Sequence, residues 1–321
     1  MTDWQYELAN SFKKPIELLN YLEIDPKGYD FSATRLFPML IPQHFVSLMK
    51  KRDPFDPLLL QVLPLEKEFY NSVEYSEDPL QEQQGAIPGL LHKYKSRILL
   101  ILKTGCAVNC RYCFRRHFPY KDNKISKKDF IYIIDYIMAH PEINEVILSG
   151  GDPLMATDDY LTQIFANLNT LTQIKRIRIH TRLPVVLPNR LSSSLIHLLQ
   201  NNPKPIIIVF HINHPNELCT IFYNKIKQLQ HSNITLLNQS VLLKDINDNI
   251  VVLSKLSEKL FNYHILPYYL HVLDKVKGAT HFDIETDKIY QLQQQLLAEL
   301  PGFLVPKIVK EEANQASKTP I

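Results

Sequence analysis

From about residue 95 the chain repeats one pattern six times, a short β-rich run followed by an amphipathic stretch with helical spacing. The runs are Arg97 to Leu102, Glu145 to Leu148, Arg176 to His180, Pro205 to Phe210, Thr235 to Asn238 and Leu266 to Leu270. The helical stretches are 127–139, 158–171, 192–199, 217–231, 250–263 and 286–300. Strand-then-helix units in succession require right-handed parallel crossovers, so the class is α/β, either a barrel or an open doubly wound sheet. The runs are nearly continuous in apolar residues, as strands buried on both faces are. In both architectures function gathers at the carboxyl ends of the strands. There the sequence places Gly105-Cys106, Ser149 to Pro153, His180 to Arg182, His211 to His214, Gln239-Ser240 and His271 to Asp274, which are expected to face one another.

Residues 1–94 are helical in flavour and broken by Pro15, Pro26, Pro38, Pro42, Pro54, Pro57, Pro64 and Pro79, so they read as an accessory cap. The α/β core then spans 95–300, and 301–321 forms a short C-terminal segment. The polar patches 81–84 and 293–295 read as solvated faces. With 36 basic against 33 acidic residues the charge balance is too even for a nucleic-acid footprint. No apolar run reaches membrane-spanning length, and the first seven residues lack a basic segment leading into an apolar one. The expectation is a cytoplasmic protein with no nucleic-acid or membrane partner.

Three of the four cysteines, Cys106, Cys110 and Cys113, crowd into one loop directly after an apolar strand. A disulfide framework would spread them out, and in a reducing compartment such a group more often binds metal or does redox chemistry. Three thiolates from one short loop can hold three irons of a [4Fe–4S] cluster and leave the fourth open. A zinc site with His117 as fourth ligand, or a chance grouping, stands as the alternative. Cys219 reads as a small buried hydrophobe.

The spacing CxxxCxxC with Tyr112 before the last cysteine, followed after the next strand by Gly150-Gly151 in a chain with only 8 glycines, resembles the radical S-adenosylmethionine (SAM) superfamily. That resemblance implies a partial (β/α)6 barrel. It also implies that the open iron binds the amino and carboxylate groups of SAM, whose reductive cleavage yields a 5′-deoxyadenosyl radical. Gly150 and Gly151 would let backbone approach the SAM amino group, with Asp152, His211 and Gln239 as further cofactor-binding candidates.

A closer resemblance rests on Pro88 to Tyr94, Phe114 to Phe118, Ser149 to Leu154, His180 to Pro184, His211 to Glu217, and Asn238 to Leu243 with Asn247-Asp248. From about residue 30 to the end these are similar to the lysine 2,3-aminomutase family, and most to its short bacterial branch acting in elongation factor P modification. The resemblance implies pyridoxal 5′-phosphate (PLP) as a Schiff base on Lys318, within Ser317-Lys318-Thr319-Pro320-Ile321. By composition alone that position is a frayed, solvated tail. One departure is visible: the long aminomutases have a glycine run before this lysine, where Asn314-Gln315-Ala316-Ser317 stands here. By the same resemblance Arg97, with Lys93 as a weaker candidate, lies near the PLP phosphate. Arg115 pairs with the substrate carboxylate through its guanidinium fork. Asp274 and Glu311 receive the substrate's side-chain ammonium, where composition alone would leave surface charges. Asn249 stands where the long enzymes have a zinc-binding cysteine, so no structural zinc is expected.

The two cofactors belong together chemically. A carbon-centred radical removes an unactivated hydrogen, and an imine on the migrating nitrogen gives it a path to the neighbouring carbon. The expected function is an isomerase converting (S)-α-lysine to (R)-β-lysine for a separate ligase to attach to elongation factor P, with an external electron donor. The alternatives are a lysine or glutamate 2,3-aminomutase of amino-acid metabolism, or a non-catalytic iron–sulfur regulatory protein. Whether the chain forms a homo-oligomer is left open by the sequence.

Overall fold

A computed structural model describes residues 2–321 apart from 71 and 84–86. The N-terminal part folds into short helices α1 (Asp3–Ala9), α2 (Pro15–Tyr21), α3 (Gln43–Ser47) and α4 (Pro57–Leu60), with 3₁₀ turns at Ser32–Arg35 and Glu66–Phe69. Pro15 and Pro57 open their helices at a position whose N–H has no helical partner, so two of the prolines start elements. The Asp56 carboxylate completes α4 by accepting the N–H groups of Leu58 and Leu59.

The remainder alternates as the pattern requires. In chain order it forms β1 (Leu90–Tyr94), β2 (Arg97–Lys103), α5 (Lys127–Ala139), β3 (Glu145–Gly150), α6 (Asp158–Thr170) and β4 (Arg176–Thr181). Then come α7 (Leu183–Val186), α8 (Ser193–Gln200), β5 (Ile206–His211), α9 (Thr220–Lys227), β6 (Ile234–Val241) and α10 (Ile250–Asn262). The last elements are β7 (Leu266–His271), α11 (Thr286–Glu299), β8 (Lys307–Lys310) and β9 (Thr319–Pro320).

The sheet runs β1 to β9 in sequence order. Strands β2 to β8 are parallel, while β1 and β9 pair antiparallel at opposite edges. Strand order that never reverses, with right-handed crossovers, places the helices on one face. Of the two architectures left open by the pattern, the chain therefore adopts the partial barrel, and its other face encloses the site.

Most expected helices agree to within a residue or two because their first turns are capped. Ser126 and Asp129 bond reciprocally at α5, Thr157 caps α6, and Asn249 caps α10 by accepting the Val252 N–H. The helix expected over 217–231 is shorter. Glu217 turns inward, where its carboxylate accepts the N–H groups of Asn213 and His214, and α9 begins only at Thr220. Strand β4 is not continuously apolar: Ile177, Ile179 and Thr181 are buried, and Arg176, Arg178 and His180 lie on the other face.

The sheet starts at Leu90, inside the segment read as an extension, because β1 folds back on β2 with Tyr94 opposite Arg97. One apolar cluster joins Trp4, Leu18, Phe45 and Leu58 of the extension to Leu100, Val146, Ile177 and Ile208 of the sheet. Among the described residues no helix is long and apolar enough to cross a membrane.

Candidate active site

A cavity of about 550 Å³ opens at the carboxyl ends of the strands. Every residue singled out from sequence as a cluster, cofactor or substrate contact lines it, Lys93 included. His117 does not; its Nε2 lies 3.2 Å from the Lys277 carbonyl.

The cysteine loop has little regular structure of its own and is held by the N-terminal extension. Arg111 forms a buried fork with Glu68, at 2.8 and 2.6 Å, and donates to the Phe37 carbonyl at 2.7 Å. Arg116 reaches the same Glu68 at 2.6 Å, and the Asn109 and Arg111 N–H groups bond to the carbonyls of Leu40 and Gln61. The segment expected to be an accessory cap is thus the brace of this loop.

Burial and their mutual proximity push the Cys106 thiol well above its ordinary pKa and Cys113 up to about 11. Cys113 accepts the Arg115 backbone N–H, and Cys110 Sγ accepts from Arg182 Nη1 at 2.8 Å. Among the described residues no three His, Cys, Asp or Glu side chains are gathered as ligands of a single ion. A cubane makes a different demand, one thiolate per iron, and a positive metal centre would displace to solvent the thiol protons that burial retains. Three thiols of one loop around one cavity fit that demand.

The glycine pair is tight against protein backbone. A Cβ at Gly150, where φ is +118°, would lie 2.4 Å from the Lys103 carbonyl oxygen, and one at Gly151 2.4 Å from that of Gly105. The Gly151 N–H bonds to the Lys103 carbonyl and the Asp152 N–H to that of Gly105. The close approach visible here locks β3 to the start of the cysteine loop.

Asp152, expected as a cofactor contact, lines the cavity and is also tied to the neighbouring loops. Its buried carboxylate accepts from Thr181 Oγ1 and from the N–H groups of Leu154, Arg182 and Leu183, all within 3.0 Å. These bonds occupy it as a tie between the β3 and β4 loops.

Lys318 lies at the opposite end. Strand β9 pairs with β8, Lys310 opposite Thr319, and the Ile321 N–H bonds to the Ile308 carbonyl at 3.1 Å. That pairing turns the tail back over the cavity and leaves the Lys318 side chain 19% exposed. Its Nζ is ion-paired with Glu311, which also accepts from Lys93 at 2.8 Å and from the Tyr94 hydroxyl at 3.1 Å. Glu311, expected to meet a substrate ammonium, is here the counter-ion of two lysines, and they hold its carboxyl well below the usual range. Lys93 bonds onward to Glu82 at 3.2 Å, and Glu82 to Arg115 Nε at 2.7 Å, while Arg115 Nη1 donates to Ser149 Oγ at 3.2 Å.

Glu82 is the residue that sequence reading missed. It falls in the 81–84 patch taken as solvated, yet it is 5% exposed and faces the cavity. Only its tertiary partners mark it; the Gln84 end of that patch lies outside the described residues.

Asp274 is half-buried, with Glu311 and Glu82 nearby, and loss of solvation foremost pushes its carboxyl up to about 7. The cavity wall also carries His180, His211 and His271, all held neutral by burial, His211 with a pKa of about 3. His211 Nε2 meets Gln239 Nε2 at 3.1 Å, whereas the Nε2 atoms of His180 and His271 are buried without partners. Buried ring nitrogens left unpaired fit a polar ligand in this cavity. Arg97 stacks on the Tyr94 ring at 4.2 Å, its guanidinium at the cavity edge.

Comparison with known proteins agrees with this geometry. Residues 100–251 match the Radical SAM superfamily. An L-lysine 2,3-aminomutase of Escherichia coli is 47% identical, covering 99% of this chain and 94% of its own. That of Buchnera aphidicola is 49% identical over 98% and 94%. That of Clostridium subterminale is 32% identical over 99% of this chain and 77% of its own. The family is one of isomerases whose cofactors are a [4Fe–4S] cluster, SAM and PLP. With its cavity at the carboxyl ends of a parallel sheet and relatives matching along nearly its whole length, the chain belongs to the lysine 2,3-aminomutase family of radical SAM enzymes.

Proposed function

We propose that this chain converts (S)-α-lysine to (R)-β-lysine by 2,3-migration of the amino group, with PLP carried on Lys318 and the cluster on Cys106, Cys110 and Cys113. The observation that carries the reading is that Lys318 and the three thiols open into one cavity. When bound, the cluster and SAM supply a hydrogen-abstracting radical, and PLP supplies the group that carries the migrating nitrogen.

The chain's own residues then bind and orient. Glu82 and Ser149 hold Arg115 through Nε and Nη1, which aims the fork at the substrate carboxylate. Asp274 pairs with the side-chain ammonium: a carboxyl that burial and the neighbouring Glu311 raise to about 7 ionises readily when a cation arrives. Arg97 stands as the cation for the PLP phosphate, with His211 and Gln239 beside SAM. Leu91, Ile98 and Ile147 give the cavity apolar walls that keep water from a radical.

The near-complete coverage in both directions with the E. coli and Buchnera relatives supports the short branch, and with it supply of β-lysine to elongation factor P through a separate ligase. The test is anaerobic reconstitution with iron, sulfide, PLP, SAM and a reductant, followed by chiral analysis. (R)-β-lysine as main product supports the reading. Glutamate turnover exceeding lysine turnover overturns it.

A further inference from the structure

Beside the cysteine loop, in the wall of the same cavity, lies a buried polar group that the proposed chemistry does not use. The Arg182 guanidinium, its side chain 6% exposed, lies over the rings of Phe45 and Tyr112, 5.4 and 5.7 Å from their centroids. Nη1 donates to Cys110 Sγ at 2.8 Å and to the Tyr112 hydroxyl. Nη2 donates to Gln61 Oε1 at 2.8 Å and to Glu217 Oε2 at 3.0 Å. Tyr112 also accepts from Asn213 Nδ2 at 2.6 Å, which leaves its own proton for Cys110. Four parts of the chain, the extension, the cysteine loop and the loops after β4 and β5, thus converge on one sulfur.

We propose that Arg182 is a positioning residue for the cluster: it fixes the Cys110 sulfur and raises the cluster's reduction potential. The proposal rests on the reading that the three cysteines hold a [4Fe–4S] cluster. Adding an electron makes the cluster more negative, and donors and positive charge at its sulfurs favour that form. In a buried site the charge acts with little screening. Glu217 offsets part of it, but Glu217 binds the far edge of the guanidinium, so the positive edge faces the sulfur.

The test is an EPR-monitored redox titration of the reconstituted full chain without substrate, after counting iron and sulfide. Arg182→Gln combined with Glu217→Gln removes the charge pair without stranding either partner. The expected result is full cluster occupancy, with the reduction equilibrium shifted about tenfold toward the oxidised form, a potential lower by about 59 mV for one electron. Arg182→Lys, which keeps the charge but cannot bridge both edges, is expected to fall between the two. A double variant with the parent's potential overturns the proposal. If the double variant does not fold, Arg182→Lys decides alone, and an unchanged potential overturns it. A parent chain that binds no iron and sulfide overturns the cluster reading itself, which the counting step separates from failure of this inference.

Discussion

Around Cys110 the polar partners are locked between loops, whereas around Lys318 side chains of alternating charge stand in series. Arg182, Tyr112, Asn213 and Glu217 bond to one another behind the thiol, and Asp152 is saturated by four donors. At the other end Arg115, Glu82, Lys93, Glu311 and Lys318 form a line in which each inner member has two oppositely charged partners. A locked network holds geometry and gives nothing up to a ligand. A charge line can exchange one partner for a ligand group while keeping the other, so the cost of an unpaired buried charge is avoided. The first plan suits a resident cluster, and the second suits a charged substrate that enters and leaves.

The comparison can be broken by variants that act at one end only. The largest effect is expected at the thiols. Cys106→Ser should abolish turnover and remove the iron–sulfur absorbance while PLP still binds, as absorbance and iron counting will show. Lys318→Ala should also reduce turnover to background, but with the reverse signature: iron retained and PLP absorbance lost. Loss of both cofactors in either variant would mean that the two ends are one folding unit.

A smaller effect concerns pH. Below about 7 Asp274 is protonated and neutral, so an incoming ammonium loses its partner. The kcat/KM for lysine should therefore fall about tenfold per unit as pH drops below 7, since that parameter reports groups of the free enzyme. Asp274→Asn should lower kcat/KM and remove this acid limb; a limb that persists in the variant assigns it elsewhere.

The smallest effect separates a structural carboxylate from a binding one. Asp152→Asn places an amide against N–H donors and should cost about 2 kcal/mol in urea unfolding. Asp274→Asn should cost no stability, because burial already opposes that charge. Equal losses in the two variants would erase the distinction drawn here.

Much of this was legible in the linear chain. Capping residues such as Ser126, Thr157 and Asn249 act within one turn, so the helix starts could be read locally. The edge strands β1 and β9 escaped because they lie outside the strand-helix repeat, and β9 spans only two residues; β8, between β7 and β9, is only four residues long. Glu82 escaped for a stronger reason: a glutamate among glutamines looks solvated, and its partners Arg115 and Lys93 are 33 and 11 residues away. The donors that hold Asp152, on Leu154, Thr181, Arg182 and Leu183, could not be read from the chain, since sequence cannot show which donors reach a carboxylate first.

By itself the sequence determined the kind of chemistry and the class of fold. Thiolate spacing within eight positions fixes how many irons one loop can reach, and the recurring strand-helix pattern leaves few topologies. Only the tertiary structure decided which charges are partners. The Glu311–Lys318 pair and the Arg182–Cys110 contact depend on chain segments brought together by β9 and by the loops after β4 and β5. Electrostatic pairing acts over a few ångströms of space and is indifferent to separation along the chain.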